Sequence, residues 1–293
     1  MAVSRLVQRT GGAAINLGGM MTKAFRFAVQ AVPEDEKQWL GTARRAEALG
    51  YSTLLMPDNL QIPSSMPALA LAAGATTTLH VGNFVLASPL RAPRLAAWDA
   101  HTLSLLTGGR FELGIGTGIP DVAEQAVRLL GQPKTTVAQR LALAEQTIDE
   151  LRALDQDHYT PVLMSAGGPR ARAVAAAKAD IVTLALGPLV GRDEVAPLVA
   201  DVRAVAGDRT ESIEFASPIF VVGDAAPTWA LRFLQTDMAT LIERDSLMIL
   251  RGSPREMADE LQRRRDILGI SYFSVNAGFI DQFAPVVELL ADH

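Results

Sequence analysis

A chain of 293 residues, 49% hydrophobic and with a formal net charge of −5, is long enough for one large α/β domain or two small ones. Its mild acidity argues against a nucleic-acid partner, which would select a basic face. No apolar run reaches the roughly 18 residues of a membrane helix. The absence of cysteine excludes disulfides, thiol catalysis, thiolate zinc sites and iron–sulfur clusters, and it fits a reducing, cytoplasmic setting.

Residues 1–24 read as a disordered leader. Arg5 and Arg9 precede a patch rich in glycine and alanine, but Asn16 and the glycines interrupt the apolar core that a secretory signal needs. Met20 and Met21 also permit a start just before the first strand. Residues 25–293 read as one domain, because no linker or shift in composition divides them.

Phe25 to Gln30 is the first expected strand. An acidic turn after Pro33 opens a helix with Trp39, Ala43, Ala46 and Leu49 on one face, and Gly50 ends it. Ser52 to Pro57 is the second strand, with Asp58 and Asn59 at its exit, and Met66 to Ala75 a short helix. Leu79 to Ala87 is an apolar third strand whose internal glycine suggests a bulge. Pro93 starts a helix in which Leu95, Trp98, Leu103, Leu105 and Leu106 are expected to face the sheet. Gly108 and Gly109 end it, and Arg110 to Ile115 is the fourth strand, followed by the loop Gly114 to Gly118.

Helical spacing returns from Thr136 to Leu154. Pro161 to Ala166 is the fifth strand, with a helix after Gly167-Gly168-Pro169. Asp180 to Leu186 is the sixth strand, ending at Gly187. A helix from Asp193 to Ala206 leads to a seventh strand, Ile213 to Val222. Trp229 to Leu250 is mostly helical but poorly punctuated. Ser253-Pro254-Arg255-Glu256 is a capping box with proline at the first helical position. That helix ends at Gly269, Ile270 to Val275 is the eighth strand, and a terminal helix runs to Leu290. Eight strands alternating with helices fit a (β/α)8 TIM barrel better than a doubly wound sheet, and a barrel's chemistry lies on the loops after its strands.

Among those loops, Ser165 to Pro169 with its helix offers backbone N–H groups and Arg170 and Arg172 to an anion. A tight turn with solvated arginines fits the same residues. The Gly114 to Gly118 run lacks the third glycine of a dinucleotide fingerprint, since Ile119 stands there. It suits close approach of a flat ring to the backbone. Asp58 and Asn59 can bind polar groups or cap the next segment, capping being the commoner use. His80, His101, His158 and His293 form no metal-ligand pair, and no P-loop or nucleophile elbow is present. Little acid–base machinery in a glycine-rich mouth points to a bound cofactor.

Ala43 to Leu60, Val81 to Gly118, Ala166 to Val182 and Gly252 to Val275 resemble, in order and spacing, the bacterial luciferase-like flavin and deazaflavin oxidoreductases. The terminal Ile270 to Leu290 is most similar to a branch described as dependent on the deazaflavin coenzyme F420. The resemblance implies a luciferase-like barrel with the ring at its C-terminal mouth. It implies a bulge at Asn83-Phe84-Val85 behind the ring, with a non-prolyl cis peptide between Phe84 and Val85. Gly116, Thr117 and Gly118 would line the ring's edge, and Ser165, Gly167, Gly168 and Gly187 would hold the phosphate. Asn59, with Asp58, would position substrate or ring atoms.

Two departures argue against a sugar-phosphate dehydrogenase mechanism. Relatives of that kind carry Asp-His where this chain has Asp58-Asn59, and asparagine does not shuttle a proton near neutral pH. Their acidic residue after the Gly-Thr-Gly is Ile119 here. The connection between strands four and five is also short, implying a more open pocket or one completed by a partner subunit. The leading expectation is hydride transfer between coenzyme F420 and a small organic substrate. An FMN-dependent monooxygenase is the alternative, and a cofactor-free, non-catalytic family member the second. A homodimer is expected, with neither nucleic acid nor membrane as partner.

Overall fold

The computed structural model describes residues 23–291, so nearly all of the expected leader lies outside the described residues. Eight strands form the barrel: β1 (Arg26–Gln30), β2 (Thr53–Met56), β3 (His80–Asn83), β4 (Phe111–Gly116), β5 (Val162–Ala166), β6 (Ile181–Leu184), β7 (Glu214–Ile219) and β8 (Ile270–Asn276). Each pairs in parallel with the next. Closure comes from β8 lying parallel to β1, with Arg26 opposite Tyr272 and Gln30 opposite Asn276. Such strands are covered on both sides, and stretches such as Val162 to Met164 are accordingly apolar throughout.

The helices follow the local signals for starting and stopping. In α1 (Glu36–Ala48) the Asp35 carboxylate accepts the Gln38 N–H at 2.8 Å. In α10 (Pro254–Leu268) the capping box forms as its spacing predicts, and Gly269 ends the helix at φ 75°. Between them run α2 (Ser65–Gly74), α3 (Pro93–Leu106), α4 (Pro120–Leu130), α5 (Val137–Asp155), α6 (Pro169–Lys178), α7 (Arg192–Ala206), α8 (Thr228–Leu234) and α9 (Met238–Glu243). A last helix, α11, spans Ile280–Leu290.

The bulge expected in the third strand is present, and other expectations need correction. The third strand is broken: after Asn83 the chain bulges, and only Leu86–Ala87 resumes pairing, with β4. The seventh strand also ends early. Phe220 and Val221 donate their N–H groups to Met248 O at 2.8 and 3.1 Å, drawing Val221–Val222 off the barrel into a separate parallel pair with Ile249–Leu250. The ambiguous stretch from Trp229 to Leu250 is therefore two short helices and a strand. Helix α4, unmarked by a cap side chain, follows Ile119 directly.

The last correction concerns which side of α3 is buried. Ala96, Ala97, Ala100, Leu103 and Ser104 face inward, whereas Leu95, Trp98, Leu105 and Leu106 are exposed. Small residues let the helix axis approach the barrel closely, so the larger apolar stripe is turned outward. Of the five residues expected to face the sheet, Leu103 alone is buried.

The N-terminal end of the barrel is plugged by charge. Arg26 pairs with Glu112 and, at 2.7 Å, with Glu214. Tyr272 donates to Glu112 at 3.3 Å, and the Arg26 guanidinium lies 4.2 Å from the Tyr272 ring. Burial pushes the Glu214 carboxyl above its usual range against the pull of Arg26, and Glu112 adds to the rise. Outside the barrel, one oxygen of Glu47 accepts the backbone N–H groups of Thr77, Thr78 and Leu79 at 2.8, 2.6 and 3.0 Å. The Thr78 bond leads the effects that hold this carboxyl down at about 2.

Candidate active site at the barrel mouth

The site begins with three positions where a side chain would not fit. A Cβ at Gly114 would collide with the Asn83 carbonyl, and one at Gly82 would approach Glu112 O to 2.9 Å. A Cβ at Gly116 would lie 2.9 Å from Val85 Cγ2. Gly114 and Gly116 make room for the bulge after β3, while Gly82 lets β3 pack closely against its neighbours. At its centre the Phe84–Val85 peptide is cis, as the resemblance implies. Phe84 and Val85 cap the apolar plug inside the barrel, formed by Ala28, Leu55, Leu163, Ile181, Ala216 and Tyr272.

A hydrogen-bonded chain fixes the bulge from outside. The Asn83 amide donates to Ser65 Oγ at 2.9 Å, and Ser65 donates to Asp58 Oδ1 at 3.2 Å. Asp58 also accepts both terminal nitrogens of Arg91, at 2.5 and 2.9 Å, and the Ala87 N–H at 3.3 Å. Its buried carboxylate is thus directed at the chain's own groups, and it ties the exits of β2 and β3 together. Asn59 closes a turn, its Oδ1 accepting the Gln61 N–H at 2.9 Å. The Oδ1 of Asn83 is buried and has no hydrogen-bond partner among the described residues.

Beyond the bulge lies a cavity of about 700 Å³. Phe84, Ser165 and Thr183 line its inner part, Gly187 its side, and Leu189, Phe220, Phe233 and Met248 its outer part. Phe84, Ser165 and Gly187 thus line the same cavity. Gly167 packs against its lining: a Cβ there would lie 3.6 Å from Cβ of Ala185, another lining residue. Gly168 precedes α6, where Pro169 takes the first helical position and an added Cβ at Gly168 would meet open space. Arg170 is exposed beside it. Arg172 turns away, donating to Gly167 O at 2.6 Å and to Asp201 at 3.0 Å.

Gly116, Thr117 and Gly118 do not line this cavity. Gly116 sits behind Val85 and Ser165, while Gly118, at φ 72°, packs near Ala87 and Pro89. The Thr117 carbonyl accepts from Arg140 Nε at 2.8 Å. Ile119 is exposed. Across the mouth, Gln30, Glu34, Gln38, Pro57 and Asn276 line a second cleft of about 440 Å³. Gln30 donates there to Ser274 Oγ at 2.7 Å.

Ser65, Arg91 and Arg140 are the positioning residues that sequence reasoning missed. Arg91 is 33 positions from Asp58 and Arg140 is 23 from Thr117, so no local spacing links either pair. Among the described residues no group of three His, Asp or Glu side chains could hold a metal, and no helix is long and apolar enough to cross a membrane.

An open glycine turn before a helix, an available hydroxyl on Ser165 and an apolar wall fit a ring bearing a phosphate tail. The luciferase-like monooxygenase family model matches residues 18–241. The chain belongs to that family. An uncharacterised protein of Mycobacterium tuberculosis (strain ATCC 25618 / H37Rv) is 31% identical over 159 residues, covering 46% of this chain and 53% of that one. The F420-dependent glucose-6-phosphate dehydrogenase of Intrasporangium calvum is 29% identical over 188 residues, covering 53% and 56%. The matches thus span about half the length of these curated relatives.

Solved structures share the fold over nearly the whole chain. An F420-dependent secondary alcohol dehydrogenase, in complex with an F420–acetone adduct, superposes with a TM-score of 0.74 at 17% identity. The match covers 92% of this chain and 99% of that one. A type II Baeyer–Villiger monooxygenase from Pseudomonas putida, in complex with FMN, gives 0.67 at 14% identity, covering 92% and 98%. The (β/α)8 luciferase-like barrel expected from the sequence is the fold observed.

Proposed function

We propose that this member of the luciferase-like family is an oxidoreductase that moves a hydride between coenzyme F420 and a small organic substrate. The observation that carries the reading is the grouping of Phe84, Ser165 and Gly187 around one cavity at the C-terminal mouth. Similarity to an F420-dependent relative and to an F420-dependent barrel supports the choice of coenzyme. When bound, the deazaflavin supplies the hydride chemistry, which the side chains of the mouth lack.

The chain's own residues would bind, orient and dry the site. Ser165 Oγ and the free amides of the first turn of α6 would hold the phosphate, with Gly167 and Gly168 keeping side chains out of the way. Phe84 and Val85 would support one face of the ring. Their position is set by Asn83, Ser65, Asp58 and Arg91, so the face is fixed before anything binds. Leu189, Phe220 and Met248 would exclude water from the reacting atoms.

Titration of the purified chain with F420 and with FMN tests this reading. Saturable F420 binding with weaker FMN binding is the expected result. Tight FMN binding without F420 binding would overturn it in favour of the FMN-dependent monooxygenase, which the family's description and the FMN-bound barrel support. Binding of neither would favour the cofactor-free member.

We also infer a homodimer formed through the outward stripe of α3, where Leu95, Trp98, Leu105 and Leu106 are 54–78% exposed. Light scattering should give a dimer mass for the natural chain and a monomer mass for Trp98→Ser combined with Leu105→Ser. A cysteine-free chain suits a cytoplasmic setting.

A further inference from the structure

We propose that the outer half of the mouth cavity selects a neutral, flat aromatic substrate and that Phe233 sets this preference. The proposal rests on the coenzyme reading above, in which the inner half is taken by the ring. Phe220 and Phe233 stack with centroids 5.1 Å apart and planes inclined by 18°. Phe220 follows directly after β7, and Phe233 is carried on α8. Phe233 is nevertheless 66% exposed, so one face of the stack is covered and the other is presented at the cavity rim. A third ring added at the usual stacking separation of about 4.5–7 Å would cover apolar surface now in contact with water.

Phe233 is held in place rather than left hanging. Its neighbour Leu234 and the nearby Ala230 are buried in a small core with Val221, Leu241 and Ile249, which belongs to the excursion between β7 and β8. The ring therefore projects from an anchored helix, and its position does not have to be organised when a ligand arrives.

Charge points to a neutral ligand. Glu194 and Arg244 are the charged residues lining the cavity, and they lie 3.2 Å apart, so they largely cancel one another. Arg244 also donates to Leu189 O at 3.2 Å. Three further guanidinium groups at the mouth are engaged by the chain itself: Arg91 by Asp58, Arg140 by the carbonyls of Thr117 and Thr135, and Arg172 by Gly167 O and Asp201. Arg232, exposed beside Phe233, is not among the residues that line the cavity. Arg170, exposed at the start of α6, stands where the coenzyme's phosphate would lie. A phosphorylated or carboxylated substrate would find as lining cation an arginine already paired with Glu194, and would be desolvated at a cost with little to offset it.

Calorimetric titration of the F420-loaded chain with indole and with glucose 6-phosphate tests the proposal. Indole should bind saturably and glucose 6-phosphate should not. Phe233→Ser, a substitution at an exposed position, should weaken indole about tenfold while leaving F420 affinity within about twofold and the thermal midpoint unchanged. Three results would overturn the proposal: no indole binding to the loaded chain, preferential glucose 6-phosphate binding, or indole affinity unaffected by Phe233→Ser. If F420 fails to bind, the coenzyme reading falls by itself. Indole titration of the coenzyme-free chain and of Phe233→Ser then decides the aromatic preference separately, with Phe233-dependent binding supporting it and its absence refuting it.

Discussion

At the N-terminal end of the barrel Arg26 meets Glu112 and Glu214 beneath Tyr272, whereas at the C-terminal end Phe84, Leu189, Phe220 and Phe233 surround an open cavity. The first end is filled with charged groups that pair with one another. The second is hollow, and the polar side chains around it mostly hold its backbone in place. One chain thus separates what keeps the barrel closed from what the barrel can do, the division expected of this architecture.

The largest effect should come from breaking the charged end. Arg26→Met strands two buried carboxylates, and we expect a loss of about 3 kcal/mol in chemical denaturation. The folded fraction should keep its F420 affinity, and a drop in that affinity would mean that the two ends are not independent. Gly114→Ala sits between the ends and should affect both. The added methyl must displace the Asn83 carbonyl, costing about 1–3 kcal/mol of stability. It should also weaken coenzyme binding, because the wall formed by Phe84 and Val85 would move.

At the hollow end, Ser165→Ala should do the reverse of Arg26→Met. F420 affinity should fall about tenfold by titration, with the denaturation midpoint almost unchanged. The smallest expected effect is acid dependence outside both ends. The Glu47 carboxyl is held at about 2 in the fold against an ordinary 4.5. A lowered value means that its stabilisation is fully present above pH 4.5 and is lost as the pH falls towards 2. Glu47→Gln should flatten the stability profile across that window and leave neutral-pH coenzyme binding alone, as thermal melts over a pH series would show.

Much of the barrel was legible because its signals are local. The capping box at Ser253, the helix-ending Gly269 and the buried run of β5 each declare an element within a few residues. The outward turn of α3 was not legible, because apolar periodicity identifies a stripe but not the surface that covers it. Alanines made the closer fit to the barrel, and that preference depends on the distance between packed elements. The end of β7 at Ile219 was hidden for a similar reason, since Met248 O lies far along the chain and captures the next two N–H groups. At the site, the resemblance placed Phe84, Ser165 and Gly187, which share a cavity, while the residues that brace the bulge meet only through long-range pairs.

The excursion from Phe220 to Leu250 carries its own small core and its own two-stranded pairing. It leaves the barrel after β7 and returns before α10 without taking part in the ring of strands. Its length and surface can therefore drift without shifting the register of any barrel pair. A lineage could remodel the exposed Phe233 while keeping the bonds from Arg244 and Ser246 that tie the excursion to the loop after β6.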